Sequence, residues 1–222
     1  VMFTGHTHMQ NIAKKVTAKG NVYYDVNTSS MVGYPSCIRK VHIDDKAIDI
    51  KTQTIDDFDW DRKGLSVDEY LRHHFLFFLN DILDSAADDI DHLAELGSGF
   101  SMTKEQVYKL KVPLQIIGKG LKKWTFGSLG RFFLISRIPD SVKNVKIRDF
   151  LLEALQNVYR GNEPYSPDTP EYQAFSAIID CVVGKLSHFK KFKDLHKSTD
   201  LIKQALYNKE PDDYELIIER KH

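Results

Sequence analysis

The sequence predicts an α+β fold: a short antiparallel β segment followed by a mostly α-helical bundle. Three observations carry this. Residues 1–55 hold β-branched and aromatic runs separated by turn residues, as in "NVYYDV" and "CIRKVHI". Residues from Ser66 onward repeat apolar side chains at helical spacing, and two capping boxes, Ser66–Glu69 and Thr103–Gln106, open helices there. The change between the two patterns falls on "DDFDWDRKGLS", a polar stretch with aspartates at 56, 57, 59 and 61.

The elements follow in order. Val1–Thr4 reads as a short apolar strand, and Lys19-Gly20-Asn21 as a turn before the strand Val22–Val26. Cys37–Ile43 and Ala47–Thr52 read as strands joined at Asp44-Asp45-Lys46, continuing a meander. A boundary is placed at 58/59, giving a β portion, 1–58, and a helical domain, 59–222. A long helix from Ser66 carries Leu71, Phe75, Phe78, Leu79, Ile82 and Leu83 on one stripe and is expected to stop at Gly97-Ser98-Gly99. Further helices are expected from Thr103, within "GKGLKKWTFGSLGRFF", over "VKIRDFLLEALQNVYRG", from Thr169-Pro170, and over "DLHKSTDLIKQALYN". The tail at 213–219 reads as a strand that returns to the N-terminal sheet.

Composition narrows the function classes. The chain has 222 residues, enough for one large domain or two small ones, with 31 basic against 31 acidic side chains. A zero net charge disfavours a general nucleic-acid binder. No stretch is apolar over the length of a membrane span, and "VMFTGHTHMQ" lacks the basic start of a signal peptide. Its first residue is Val, which leads us to expect a fragment; cellular location stays unassigned. Cys37 and Cys181 are far apart and read as free thiols.

The chemistry-bearing pattern is Gly5-His6-Thr7-His8, directly after the first strand. Neutral imidazole is the commonest metal-binding side chain, and on an extended strand His6 and His8 would share a face. Gly5 would let the backbone approach closely. The alternative is two surface histidines. Elsewhere, Glu69 with His73 and His74, and Asp88, Asp89 and Asp91 with His92, read as solvated helix faces. Gly118-Lys119-Gly120 lacks the spacing of a phosphate-binding loop and reads as a basic turn.

"FTGHTH" resembles the Gly-His-x-His motif of the calcineurin-like metallophosphoesterases. "GNVYYDVNTSSMVGYPSCIRKVHI" looks like the stretch that follows it in bacterial cyclic-nucleotide phosphodiesterase-like members, in which a helical C-terminal domain comes next. The resemblance implies a metal-dependent phosphoesterase holding two divalent ions (Mn, Fe or Zn), with His6 ligating one and His8 the other. Such a pair would clamp phosphoryl oxygens and supply a hydroxide. Substrates would be phosphodiesters, 3′,5′-cyclic nucleotides among them. Asn27, Tyr34 and Arg39 would lie near the cleft as substrate-binding candidates, although Arg39 also reads as a sheet residue. The family's other motifs (Asp-x-His, Gly-Asp-x-x-Asp, Gly-Asn-His-Asp/Glu and a lone His) precede Gly-His-x-His and do not occur here. The chain is therefore expected to be the C-terminal part of such an enzyme, inactive alone, with the ions absent or weakly held and the catalytic remainder as partner. Its cut strands are expected to pair between copies. The other function class is a helical interaction, dimerisation or lid module without catalysis.

Overall fold

The computed structural model describes residues 1–97, 103–186, 195–207 and 211–220. The fold is α+β, with helices α1–α8 and two three-stranded sheets among the described residues. The chain divides into two compact units: Val1–Phe75 with Ala154–Ser166 and Ile202–His222, and Leu76–Glu153 with Pro167–Leu201. The division expected at 58/59 follows chain order, whereas these units are discontinuous and their first seam falls within a helix.

The first unit holds all six strands. The first sheet contains β1 (Met2–Thr4), β2 (Asn11–Val16) and β3 (Val22–Asn27), in the order β1-β3-β2. β2 and β3 form a hairpin around Thr17–Asn21, where Gly20 takes φ +79°. β1 runs parallel to β3, with Phe3 opposite Val26. The second sheet is antiparallel, with β4 (Cys37–Ile43), β5 (Ala47–Thr54) and β6 (Glu215–Glu219) in that order.

The expected single meander is thus corrected to two sheets. Turn residues mark where a strand ends but do not choose its partner, and β1 reaches across β2 to the free edge of β3. The returning tail does pair, as β6 on β5.

Alternation at period two gives each sheet one apolar face. Ile12, Val26 and Ile50 are fully buried, with Tyr24, Ile48, Leu216 and Ile218 packed against them. Each such buried aliphatic side chain contributes about 2 kcal/mol. A second cluster in this unit joins Tyr34, Val67 and Leu71, with Phe58, Tyr70 and Phe75 around it.

Helix α1 (Val67–Asp88) starts where the capping box places it: the Ser66 hydroxyl accepts from Glu69 N–H, and the Glu69 carboxylate accepts from Ser66 N–H. The long helix expected here is broken once. Asp89 leaves helical geometry, and its carboxylate caps α2 (Ile90–Leu96) through His92 N–H at 3.0 Å. Gly97 then caps α2 in right-handed helical geometry, while Ser98 and Gly99 of the expected stop lie outside the described residues.

The second unit continues through α3 (Lys104–Lys109), α4 (Lys111–Leu121) and α5 (Phe126–Phe133). Thr103 and Thr125 each close a full capping box. Pro113 sits in the first turn of α4, where a missing N–H costs nothing. Gly118 and Gly120 are helical, not a turn. A Cβ on Gly118 would fall 2.5 Å from the Ala87 backbone nitrogen, so α4 crosses α1 at a spacing only glycine allows.

Helix α6 (Ile147–Arg160) is shared between the units, and α7 (Pro170–Leu186) begins with proline as expected. Phe150 lies 5.2 Å from both Phe126 and Phe175, centroid to centroid, which forms the aromatic centre of the second unit. Arg148 grips Asp84 with two parallel N–H···O bonds of 2.7 and 2.9 Å. The hydrogen-bonded guanidinium pulls the Asp84 carboxyl down to about 2. Helix α8 spans Leu195–Ala205. Among the described residues no helix is long and apolar enough to cross a membrane.

Candidate functional site

The two sequence-predicted metal donors stand on a turn at the carboxyl end of β1. The strand stops at Thr4, His8 N–H donates back to the Gly5 carbonyl at 3.3 Å, and His8 takes φ +56°. The shared strand face expected for His6 and His8 therefore does not exist, because neither belongs to a strand. Both side chains are exposed.

The turn is anchored to the end of β3. Thr28 N–H donates to the Thr4 carbonyl at 2.9 Å, and the Asn27 side-chain amide donates to the Thr7 hydroxyl. A Cβ on Gly5 would meet the Thr28 carbonyl at 3.6 Å, an ordinary contact, so close backbone approach is not what glycine supplies here. Among the described residues no group of three His, Cys, Asp or Glu side chains is placed to hold a metal ion. His6 and His8 thus belong to no complete ligand set among the described residues.

The three expected substrate contacts are held by protein. Tyr34 is buried against Val67 and Leu71, with its ring 5.6 Å from Phe75. Burial pushes its phenol up, with the Arg160 guanidinium opposing. Arg39 donates to the Asn27 carbonyl at 3.1 Å and to the Thr52 hydroxyl, and so ties β4 to β3 and β5. Burial lowers its pKa, with the Asp213 carboxylate opposing. Asn27 keeps one unused group, a buried Oδ1 without a partner.

The other acidic clusters are engaged in local structure. The Asp57 carboxylate pairs with Arg62, that of Asp88 with Lys122, and that of Asp91 accepts from the Tyr108 hydroxyl. Asp81 accepts from His92 at 2.9 Å, which raises the imidazole pKa. The His74 ring lies 4.5 Å from that of Tyr70, tilted by 58°.

A second polar centre escaped sequence reasoning. Two residues after His8, Gln10 is fully buried, and its amide donates to the Thr52 hydroxyl at 2.8 Å and to the Asp213 carbonyl at 2.9 Å. The Asp213 carboxylate accepts from Ile12 N–H. Tyr214 donates its hydroxyl to the Arg160 carbonyl at 2.9 Å. Glu163 is buried beside Asp213, and burial first, then the Asp213 charge, raises its carboxyl to about 7. Burial raises Asp213 to about 6, with the Ile12 N–H and Arg39 opposing.

Glu163, Asp213 and Tyr214 border a cleft of about 960 Å³ between residues 160–164 and 211–214. In the sequence, "GNEPY" and "PDDY" look like ordinary solvated loops; only Gly161 after α6 signals a fixed backbone there. No protein-family model matches the chain, and no curated protein matches it either.

Proposed function

We propose that this chain supplies two metal donors, His6 and His8, to a metal-dependent phosphoesterase that hydrolyses phosphodiesters, 3′,5′-cyclic nucleotides among them. The remaining donors lie outside the described residues. One observation carries the reading: the Gly-His-Thr-His turn is fixed at the carboxyl end of a strand that runs parallel to its neighbour, with both imidazoles open. Sites commonly form at such strand ends. Imidazole donors suit Zn, Mn or Fe. Two donors fall short of the roughly three that a catalytic metal needs.

The isolated chain is expected to bind zinc weakly, and His6→Ala/His8→Ala to remove that binding, read by calorimetry. It is expected not to turn over bis(p-nitrophenyl) phosphate or cyclic AMP. Zinc binding unchanged in the double variant would refute the donor assignment. Turnover that His8→Ala abolishes would refute the external donors.

A second reading, a helical interaction module, is favoured by one observation in the second unit. Phe77, Phe132 and Leu134 are 74%, 76% and 91% exposed. Bulky apolar side chains in water mark association surfaces. On this reading light scattering finds a dimer of the 25.6 kDa chain that Phe132→Asp splits. A monomeric wild type would eliminate it.

A further inference from the structure

We propose that the outward face of α4 docks on an anionic lipid surface, its aliphatic side chains entering among the head groups and its lysines meeting their negative charge. His6 and His8 take no part.

Helix α4 is apolar on both sides. On the inner side Leu114 packs against Ile90, Ala94 and Val107, Leu121 is buried, and Gly118 brings the helix against the Ala87 backbone of α1. On the opposite side Val112 and Ile116 stand one turn apart, 65% and 60% exposed, with Pro113 and Ile117 exposed beside them. A helix that is apolar all round is ordinarily covered all round.

Charge identifies the cover. The whole chain balances 31 cations with 31 anions, yet residues 106–124 hold Lys109, Lys111, Lys119, Lys122 and Lys123 and no aspartate or glutamate. The acids that reach this segment are already engaged. Glu105 pairs with Lys109 at 2.7 Å, Asp84 with Lys122 at 3.3 Å, and Asp88 with Lys122 as well. Asp91 accepts from the Tyr108 hydroxyl. Lys111, Lys119 and Lys123 are exposed and have no ion pair among the described residues. Lys111 and Lys119 border the apolar stripe, and Lys123 follows the end of the helix. An aliphatic stripe edged by unopposed cations complements a surface that is negative above and apolar below, which is an anionic bilayer. With 11 residues α4 is too short to cross that bilayer, so it would lie in the surface.

Other covers fit less well. Valine, proline and isoleucine offer no ring for a base to stack on, so a nucleic acid would use the lysines alone. A stable protein interface takes on the order of 20–30 residues a side. This face offers four apolar side chains and three lysines, which suffices for reversible membrane binding.

The test is flotation of the full chain with vesicles of phosphatidylcholine alone and of phosphatidylcholine with about 30% phosphatidylserine. Binding is expected to the anionic vesicles only, falling at least about tenfold between roughly 50 and 500 mM salt. Lys119→Gln is expected to weaken it about fivefold, and Ile116→Asp at least about tenfold. Both positions are exposed, so both variants should fold, which thermal melts by circular dichroism check. His8→Ala should float as wild type does, so loss of the metal-donor assignment would leave this result standing. No binding to anionic vesicles, equal binding to both kinds, or binding that Ile116→Asp leaves intact would each overturn the proposal. Self-association that Ile116→Asp abolishes, without vesicle binding, would overturn it too and give the face to a second copy of the chain.

Discussion

Glu163→Gln is expected to stabilise the first unit at pH 8 by about 2 kcal/mol and to remove much of its pH dependence. The sign follows from the raised carboxyls. Glu163 rises to about 7 and Asp213 to about 6, against ordinary values near 4.5 and 3.8. Between roughly pH 4 and 7 the folded chain therefore holds protons that the unfolded chain has released. Stability is greatest at the acid end of that window, falls as pH rises through it, and stays low above about pH 7. A glutamine keeps the shape, carries no charge, and offers Asp213 an N–H donor. Asp213 is raised by its own burial, so in this variant its carboxyl stays raised and the pH dependence that remains is its share.

Urea unfolding of wild type and variant at pH 5, 6, 7 and 8 reads this directly. The two should nearly coincide at pH 5 and diverge upward. His92, held by Asp81 in the second unit, also stabilises less as pH rises, so the difference between variants is the relevant quantity. A constant difference across pH would show that Glu163 titrates normally and would sink the assignment.

What the sequence could announce was local. The Ser66 and Thr103 capping boxes, the proline opening α7 and the strand runs at β3, β4 and β5 each depend on residues within a turn of one another, and each appears where it was read. Pairing was not local. Nothing in Met2–Thr4 says that it will lie parallel to β3 and not beside β2, because that choice rests on which apolar faces meet. Asp89 was visible but outvoted: apolar spacing ran across it, and a carboxylate at an N-cap looks like any helical surface acid until its backbone is known. The Glu163–Asp213 pair was invisible for a similar reason. Its members are fifty residues apart, and acids in Pro- and Asn-rich loops usually face water. His6 and His8 were singled out by motif, and the shared face expected of them failed because a strand was extended through a turn.

Gly161→Ala is expected to cost about 3 kcal/mol, much more than any other glycine replacement at a turn of the first unit. Gly161 ends α6 in a Schellman arrangement: Asn162 N–H reaches the Asn157 carbonyl at 2.9 Å and Gly161 N–H the Val158 carbonyl at 3.3 Å. This requires φ +68°, which an alanine tolerates at a cost of about 1 kcal/mol. The larger part is steric. The new Cβ would sit 2.4 Å from the Gln10 carbonyl oxygen and 2.8 Å from Asp213 Cβ. The carbonyl belongs to backbone already fixed, since Gln10 N–H donates to the Tyr159 carbonyl at 2.9 Å. Neither neighbour can yield without loosening the Ile12–Asp213 contact that holds the segment before β6. Gly20 provides the internal control. It has φ +79° but nothing within 4 Å of a Cβ, so Gly20→Ala should cost only the backbone share. Chemical denaturation of both variants separates the two contributions. If Gly161→Ala is no worse than Gly20→Ala, the close approach of residues 10, 161 and 213 is not the constraint the structure shows, and the cleft that Gly161 and Asp213 border is softer than its geometry implies.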